Sequence, residues 1–284
     1  MGLVAMTEML KKAKEGKYAV GQFNMNNLEF TQAIIEASEE EKSPVILGVS
    51  EGALKYMGLE YTVAMAEVAA EKANIPVALH LDHGGTFEVA MKVIRAGFSS
   101  VMFDGSHHPF DENVVITKKV VETALPMGVS VEGELGTIGG TEDNVSVAEE
   151  DALLTNPKEA VEFYHLTNVD ALAIAVGSAH GIYKGEPKIR FDIIEAVSKV
   201  IDIPLVLHGG SGIPDETIRK AISYGIGKVN VNTENQIAMT NKIREIFNND
   251  QKVYDPRKYL GPAREAIKEV VRGKIRLFGS NGKA

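Results

Sequence analysis

Three histidines, His83, His180 and His208, each end an apolar, β-branched run and each precede a glycine, which leaves an imidazole room to act as a ligand. The chain has no cysteine, so a metal would have to sit on His, Asp or Glu. Three neutral imidazoles leave one vertex of a tetrahedral Zn²⁺ open to a substrate oxygen, as a catalytic site requires and a closed structural site does not. The three fit no local motif such as HExxH, so their convergence depends on the elements that carry them. Asp82 directly precedes His83, and a carboxylate beside a metal can take or give a proton; the bland alternative is a helix cap. Adjacent residues of an ideal strand point to opposite faces. Both can serve one site only if strand geometry breaks there, and Gly84 and Gly85 permit a break. Asp104 and Glu134 either orient the histidines or hold a second divalent ion. The segments HGGSG (208–212) and NVNTEN (230–235) offer glycine N–H groups followed by a helix start, an arrangement suited to phosphate. Lys184 would add a full positive charge there, or is a solvated loop lysine. Of the remaining histidines, His80 reads as a core residue and His165 as an exposed helical one. His107 and His108 fall in a loop.

The elements that must position these residues are eight short apolar runs, at 18–24, 44–50, 76–83, 99–105, 128–136, 171–178, 203–212 and 228–233. Each is near-continuously apolar, as strands buried on both faces are, and segments with helical period separate them. Such alternation gives parallel strands with helical crossovers, either closed into a (β/α)8 TIM barrel or opened into a doubly wound sheet. Eight strands favour closure, and GQFNMNN after the first strand is neither a dinucleotide nor a P-loop turn. The expectation is one α/β barrel domain over residues 1–284, with 253–284 as a C-terminal helical extension packed outside it or against a neighbouring subunit. Chemistry in such barrels sits at the C-terminal ends of the strands. Asp82 and His83 end the third, Asp104 the fourth, Glu132 and Glu134 the fifth, Ser178 and His180 the sixth, His208 the seventh, and Asn230 and Asn232 the eighth. One rim collects the polarity. The gap between the fifth and sixth runs is longer than the others, and the extra loop, 137–157, carries Glu142 at its tip after the possible hinges Gly136, Gly139 and Gly140. It reads as a lid that brings a carboxylate to the site, or as an acidic surface loop.

Composition sets outer limits. Apolar residues at 44% and charged residues at 24% suit a globular protein with a large core and exclude disorder, coiled coil and collagen. Thirty basic against thirty-nine acidic side chains give a net charge of -9, the wrong sign for nucleic-acid binding through the overall field. Any anionic ligand must meet local positive groups. The N-terminal segment has helical period rather than the apolar run of a signal peptide, and no stretch approaches the ~18 apolar residues of a spanning helix. The expected location is the cytoplasm, with no membrane partner.

The segments LHLDHG, SVMFDGSHHPFDENV, VEGELGTIGGTED, VGSAHGIYKGEP, VLHGGSGIP and KVNVNTENQIA, in that order, resemble the class II, metal-dependent fructose-bisphosphate aldolases and the related tagatose-bisphosphate aldolases, from residue 3 to the C-terminus. The resemblance implies that His83, His180 and His208 ligate catalytic zinc and that Asp82 is the proton-transferring aspartate. It places Asp104 and Glu134 at a second or alternative metal position. Gly181, Gly209, Ser211, Asn230 and Thr233 match positions that hold dihydroxyacetone phosphate, with Lys184 near its phosphate. Glu142 matches a mobile-loop glutamate that transfers the enolising proton. Arg257, in YDPRKY, looks like an arginine that meets the far phosphate, across a subunit boundary. Similar proteins also use a monovalent cation (Na⁺ or K⁺) and form homodimers or homotetramers. Asn232 and the C-terminal tail look more like fructose-specific members than tagatose-specific ones.

The implied reaction is cleavage of a ketose bisphosphate between C3 and C4, a step of glycolysis and gluconeogenesis, through a zinc-stabilised enediolate. Three rivals remain. A Schiff-base aldolase needs a desolvated lysine inside the barrel, and the sixth strand, ALAIAVGS, has none. A metal-dependent hydrolase has no use for HGGSG and NVNTEN. A non-catalytic sugar-phosphate binder leaves Asp82 and Glu142 without a purpose.

Overall fold

The computed structural model describes residues 2–142, 145–148, 152–183 and 185–284. Its strands, in chain order, are β1 (Val20–Asn24), β2 (Val45–Ser50), β3 (Val77–Gly84), β4 (Ser100–Phe103), β5 (Ser130–Leu135), β6 (Gly139–Glu142), β7 (Val145–Val147), β8 (Ala171–Ile174), β9 (Ala179–His180), β10 (Leu205–Leu207) and β11 (Ile226–Val231). Eight of them close into a parallel barrel in the order β1-β11-β10-β8-β5-β4-β3-β2. All eight expected strands are present, and helices cross over between them on the outside. Closure follows from composition, because every residue of β1, β2, β4, β5, β8, β10 and β11 is buried. Strands with two apolar faces need cover on both, and only an enclosed sheet wrapped by helices supplies it.

The two faces of the strands serve two cores. Residues such as Phe23, Leu47, Leu79, Val101, Phe103, Leu172 and Leu205 pack outward against the helices. Val20, Ile46, Ala78, Met102, Ala171, Ala173 and Val206 fill the interior, together with Met6, Met9, Leu10 and Ala13 of the first helix, Met6–Gly16. That helix therefore plugs the end of the barrel opposite the polar rim. Along the interior, side chains two apart share a face. Gln22 and Asn24, His80 and Asp82, Glu132 and Glu134, and Lys228 and Asn230 all turn inward, each nearly or wholly buried. The interior is thus apolar near the plug and increasingly polar toward the rim.

Two features lie outside the eight-fold repeat. The insertion after β5 contributes β6 and β7, which pair antiparallel, and β6 also pairs parallel with β9. The expected sixth strand, drawn through to Ser178 and His180, ends at Ile174, and His180 belongs to this small separate sheet. The C-terminal helix Pro256–Phe278 lies against the helices Thr233–Asn249 and Leu28–Glu40. It is tied to the latter and to the residue that follows it by ion pairs such as Lys268–Glu40 at 2.5 Å and Arg276–Glu41 at 2.7 Å. No helix among the described residues is long and apolar enough to cross a membrane.

Candidate active site

The site begins with a break in β3. This strand runs in register with β2 from Val45 opposite Val77 to Ser50 opposite Asp82. Against β4 the register shifts between Leu81 and Gly84. At the shift His83 adopts φ 51°, a left-handed conformation that costs a non-glycine residue roughly 1–2 kcal/mol. The sequence places the break at Gly84 and Gly85, whereas the structure places it at His83 itself. Gly84 has another task. A Cβ there would stand 2.6 Å from Leu81 Cδ2 and 2.7 Å from the Met102 carbonyl oxygen, so the shifted strand can close on β4 only with a glycine. The result is that Asp82 and His83, adjacent in the chain, both serve the same site.

The three imidazoles converge. Ring centroids lie 5.0 Å apart for His83 and His180, 4.7 Å for His83 and His208, and 5.8 Å for His180 and His208. One nitrogen of each ring falls within 4.8 Å of the others. Carboxylates fix which nitrogen faces inward. His83 Nδ1–H donates to Asp104 Oδ2 at 2.8 Å, which turns the Nε2 lone pair to the centre. His208 Nε2–H donates to Glu132 Oε1 at 2.9 Å, which turns the Nδ1 lone pair there as well. These two nitrogens stand 2.9 Å apart. Facing lone pairs at that distance repel unless a cation lies beside them, and nitrogen ligands around tetrahedral zinc sit only slightly further apart, roughly 3.3 Å for bonds of ~2.0–2.1 Å. The donor set and its orientation therefore fit a divalent ion, which His83, His180 and His208 could hold. His83, Asp104 and Glu134 form a second such group.

The buried carboxylates divide by environment. Burial alone would raise the Asp82 carboxyl, but the imidazoles of His83 and His208 and the Lys228 ammonium outweigh it and hold the group well below the usual range. Asp82 accepts from Asn24 Nδ2 at 3.1 Å and from Asn230 Nδ2 at 3.3 Å. Asp104 is likewise lowered, its burial overcome by His83 and Ser106. Glu132 is buried too, yet Lys228 and His208 pull it down to about 2. Glu134 goes the other way, pushed well above its ordinary value by burial and by the nearby Asp104 carboxylate. Its Oε2 makes no hydrogen bond among the described residues. A bound cation would reverse that penalty.

Above the imidazoles opens a cavity of about 320 Å³, lined by Asn24, Thr141, His180, Gly181, Gly209, Ser211, Asn230, Asn232, Thr233 and Gln236. Six of the eight residues expected to bind substrate, Gly181, Gly209, Ser211, Asn230, Asn232 and Thr233, thus meet at one place. Lys184 lies outside the described residues. Arg257 is not brought to the cavity by its own chain: it sits at the start of the C-terminal helix, almost fully exposed, with its guanidinium on Asp255 at 2.9 Å. Glu142 ends β6, and its side chain lies outside what is described. The rim is fastened from behind by Tyr183, whose hydroxyl accepts from the Ala179 N–H at 2.8 Å and donates to the Gly209 carbonyl at 2.9 Å. His80 is in the core and His165 exposed, as expected. His108 pairs with Glu112 at 3.1 Å.

Two residues here escaped assignment from the sequence. Glu132 was visible only as a polar strand end. Lys228 was passed over altogether, although it is a fully buried lysine inside the barrel, on β11 rather than on the sixth strand. Inward alternation with Asn230 and Asn232 was the available signal.

A family model described as "Fructose-bisphosphate aldolase class-II" matches residues 4–283. The chain is 60% identical to the "Fructose-bisphosphate aldolase" of Staphylococcus epidermidis, over all of both proteins. It is 59% identical, again over all of both, to the "Probable fructose-bisphosphate aldolase" of Bacillus subtilis. Among solved structures, the YdjI aldolase of Escherichia coli K12 superposes with a TM-score of 0.88 at 35% identity, covering 99% of each chain. A putative fructose-1,6-biphosphate aldolase from Coccidioides immitis gives 0.88 at 28% identity, covering 97% of this chain and 96% of that one.

Proposed function

Because the chain belongs to the class-II fructose-bisphosphate aldolase family, we propose that it reversibly cleaves fructose 1,6-bisphosphate to dihydroxyacetone phosphate and glyceraldehyde 3-phosphate. One observation carries this reading: three imidazoles converge beside a cavity that one of them, His180, lines, and Asp82 is held by two further lining residues, Asn24 and Asn230. A zinc ion would be held by His83, His180 and His208 and would supply a Lewis acid for the negative charge that cleavage of the C3–C4 bond leaves on the ketone half. Asp82, held below the usual carboxylate range by the imidazoles and the Lys228 ammonium beside it, takes the C4 hydroxyl proton at a carboxylate oxygen as that bond breaks. The aldehyde half leaves as glyceraldehyde 3-phosphate. Glu142, carried on the insertion, returns a proton to C3 of the other half and so completes dihydroxyacetone phosphate.

Gly181, Gly209, Ser211, Asn230 and Thr233 hold that product, with Lys184 beside its phosphate. Thr233 opens the helix Thr233–Asn249, whose N-terminal N–H groups offset the negative charge of the chain at this point. Asp104 orients His83, and together with Glu134 these two would offer a second or alternative divalent position. Arg257 meets the far phosphate from the neighbouring subunit of a homodimer or homotetramer, a role its exposure and its distance from its own cavity lining support. Asn232, held by the Asn26 amide at 3.0 Å, favours the fructose configuration at C4. The test is turnover of fructose and tagatose 1,6-bisphosphates by the zinc-loaded protein. The expected result is preferred cleavage of the fructose isomer, abolished by EDTA and indifferent to borohydride with substrate. Absence of cleavage in zinc-replete buffer would overturn the reading.

A further inference from the structure

Lys228 is the largest polar side chain sealed inside the barrel, and no part of it lines the cavity. Its Nζ lies 2.8 Å from Glu132 Oε2 and 2.9 Å from Asn230 Oδ1. An ammonium donates and never accepts, so the hydrogen bond to Asn230 has a fixed sense, while the contact with Glu132 is an ion pair rather than a hydrogen bond. Glu132 must present oxygens, and its other oxygen, Oε1, receives the proton of His208 Nε2 at 2.9 Å. That leaves the His208 lone pair on Nδ1, the atom facing His83 Nε2. Asn230 must turn its carbonyl toward Lys228, which turns its NH₂ toward Asp82 Oδ1 at 3.3 Å and His208 Nδ1 at 3.4 Å. With no donor beneath it, the same amide could flip and set its oxygen against the Asp82 carboxylate.

We propose that Lys228 is a positioning residue whose buried ammonium fixes two hydrogen-bond polarities at once, the ligating tautomer of His208 and the amide orientation of Asn230. One charge beneath the site thereby sets both the lone pair offered to a metal and the donor offered to Asp82. The lysine belongs neither to the cavity lining nor to either ligand group; it acts through Glu132 and Asn230. The inference rests on the aldolase reading for its bearing on turnover, and on geometry alone for its bearing on tautomer.

The first measurement needs no variant. Long-range ¹⁵N NMR of the metal-free, histidine-labelled protein should find His208 protonated at Nε2; protonation at Nδ1 overturns the proposal. Lys228→Cys should then lose the single tautomer and bind zinc 10–100-fold more weakly, the range expected when a partner of a ligand is lost, and kcat should fall more than KM changes. The chain has no native cysteine, so alkylating the unfolded variant with 2-bromoethylamine restores an ammonium at that site alone, and refolding should recover both tautomer and zinc affinity. A variant that keeps the His208 tautomer and the zinc affinity of the parent, or an alkylated protein that folds without regaining them, refutes the inference. Failure of the aldolase reading shows separately, as a zinc-loaded parent that cleaves no bisphosphate while its tautomer is as described.

Discussion

At the scale of the residue, the site depends on neighbours that push like groups apart. Asp82 and Glu134 are both buried carboxyls, yet the first is held ionised by imidazoles and an ammonium and the second is driven toward protonation by its burial and then by the adjacent Asp104 carboxylate. On the proposed reading, this division suits Asp82 to proton transfer. Asp82→Ala is expected to lower kcat by about 10²–10⁴, the usual contribution of a positioned acid or base, while zinc content stays near one per chain. His180→Ala should lose zinc and activity together. Metal analysis beside a coupled cleavage assay checks both, and an Asp82→Ala protein with full turnover sinks the assignment. The convergence of the three histidines with Asp82 was legible because each is a polar residue at or just beyond the end of an apolar run. Lys228 and Glu132 were not, because a strand-internal charge looks like a solvent-facing one until the sheet is known to close around it.

At the scale of the element, the decisive object is the distorted end of β3. An undistorted strand would send His83 outward among the helices, and the register shift that prevents this depends on Gly84 fitting against Leu81 and the Met102 carbonyl. Gly84→Ala is therefore expected to destabilise by about 1–3 kcal/mol, the usual cost of overpacking, and to weaken zinc binding, since the strain falls on the residue next to a ligand. Urea unfolding with and without zinc measures both effects; a variant with parental stability and affinity contradicts the argument. The break itself was foreseen from the glycines, but its position was not, because neither composition nor period shows that a histidine will take a left-handed conformation. The sixth strand was overdrawn for a related reason. The run ALAIAVGS continues apolar past Ile174, and sequence does not show that β9 has left the barrel for another sheet.

At the scale of the whole molecule, the barrel seals titratable groups whose protonation is linked to unfolding. His80 is fully buried and its imidazole is lowered to about 3, chiefly by burial and then by Lys228. Between pH ~6.5 and 3 the unfolded chain binds a proton there that the folded chain does not, so this contribution to stability is lost as pH falls through that window. Glu134 has the opposite sign. Its raised value means that the unfolded chain loses a proton above pH ~4.5 that the folded chain keeps, so its contribution is lost as pH rises. Chemical denaturation of the metal-free protein from pH 4 to 7 should show the parent gaining on His80→Gln as pH rises and losing ground to Glu134→Gln. A reversed slope in either pair contradicts the linkage. The architecture that encloses these groups was the most legible feature of all, since eight doubly apolar strands separated by amphipathic helices admit few other solutions.

The pairing of β6 with β9 ties distant parts of this design together. Gly139 stands opposite Ala179 and Gly140 opposite His180, so the ribbon that ends in Glu142 is hydrogen-bonded to the backbone of a ligand. Gly140, at φ 98°, comes so close to the His180 carbonyl that a Cβ would lie 2.1 Å from it. The insertion cannot swing freely about its glycines while that seam is closed. On the proposed reading, an ion held by His180 would also steady the strand that ends in Glu142, so that filling the centre and placing that carboxylate would be one mechanical event.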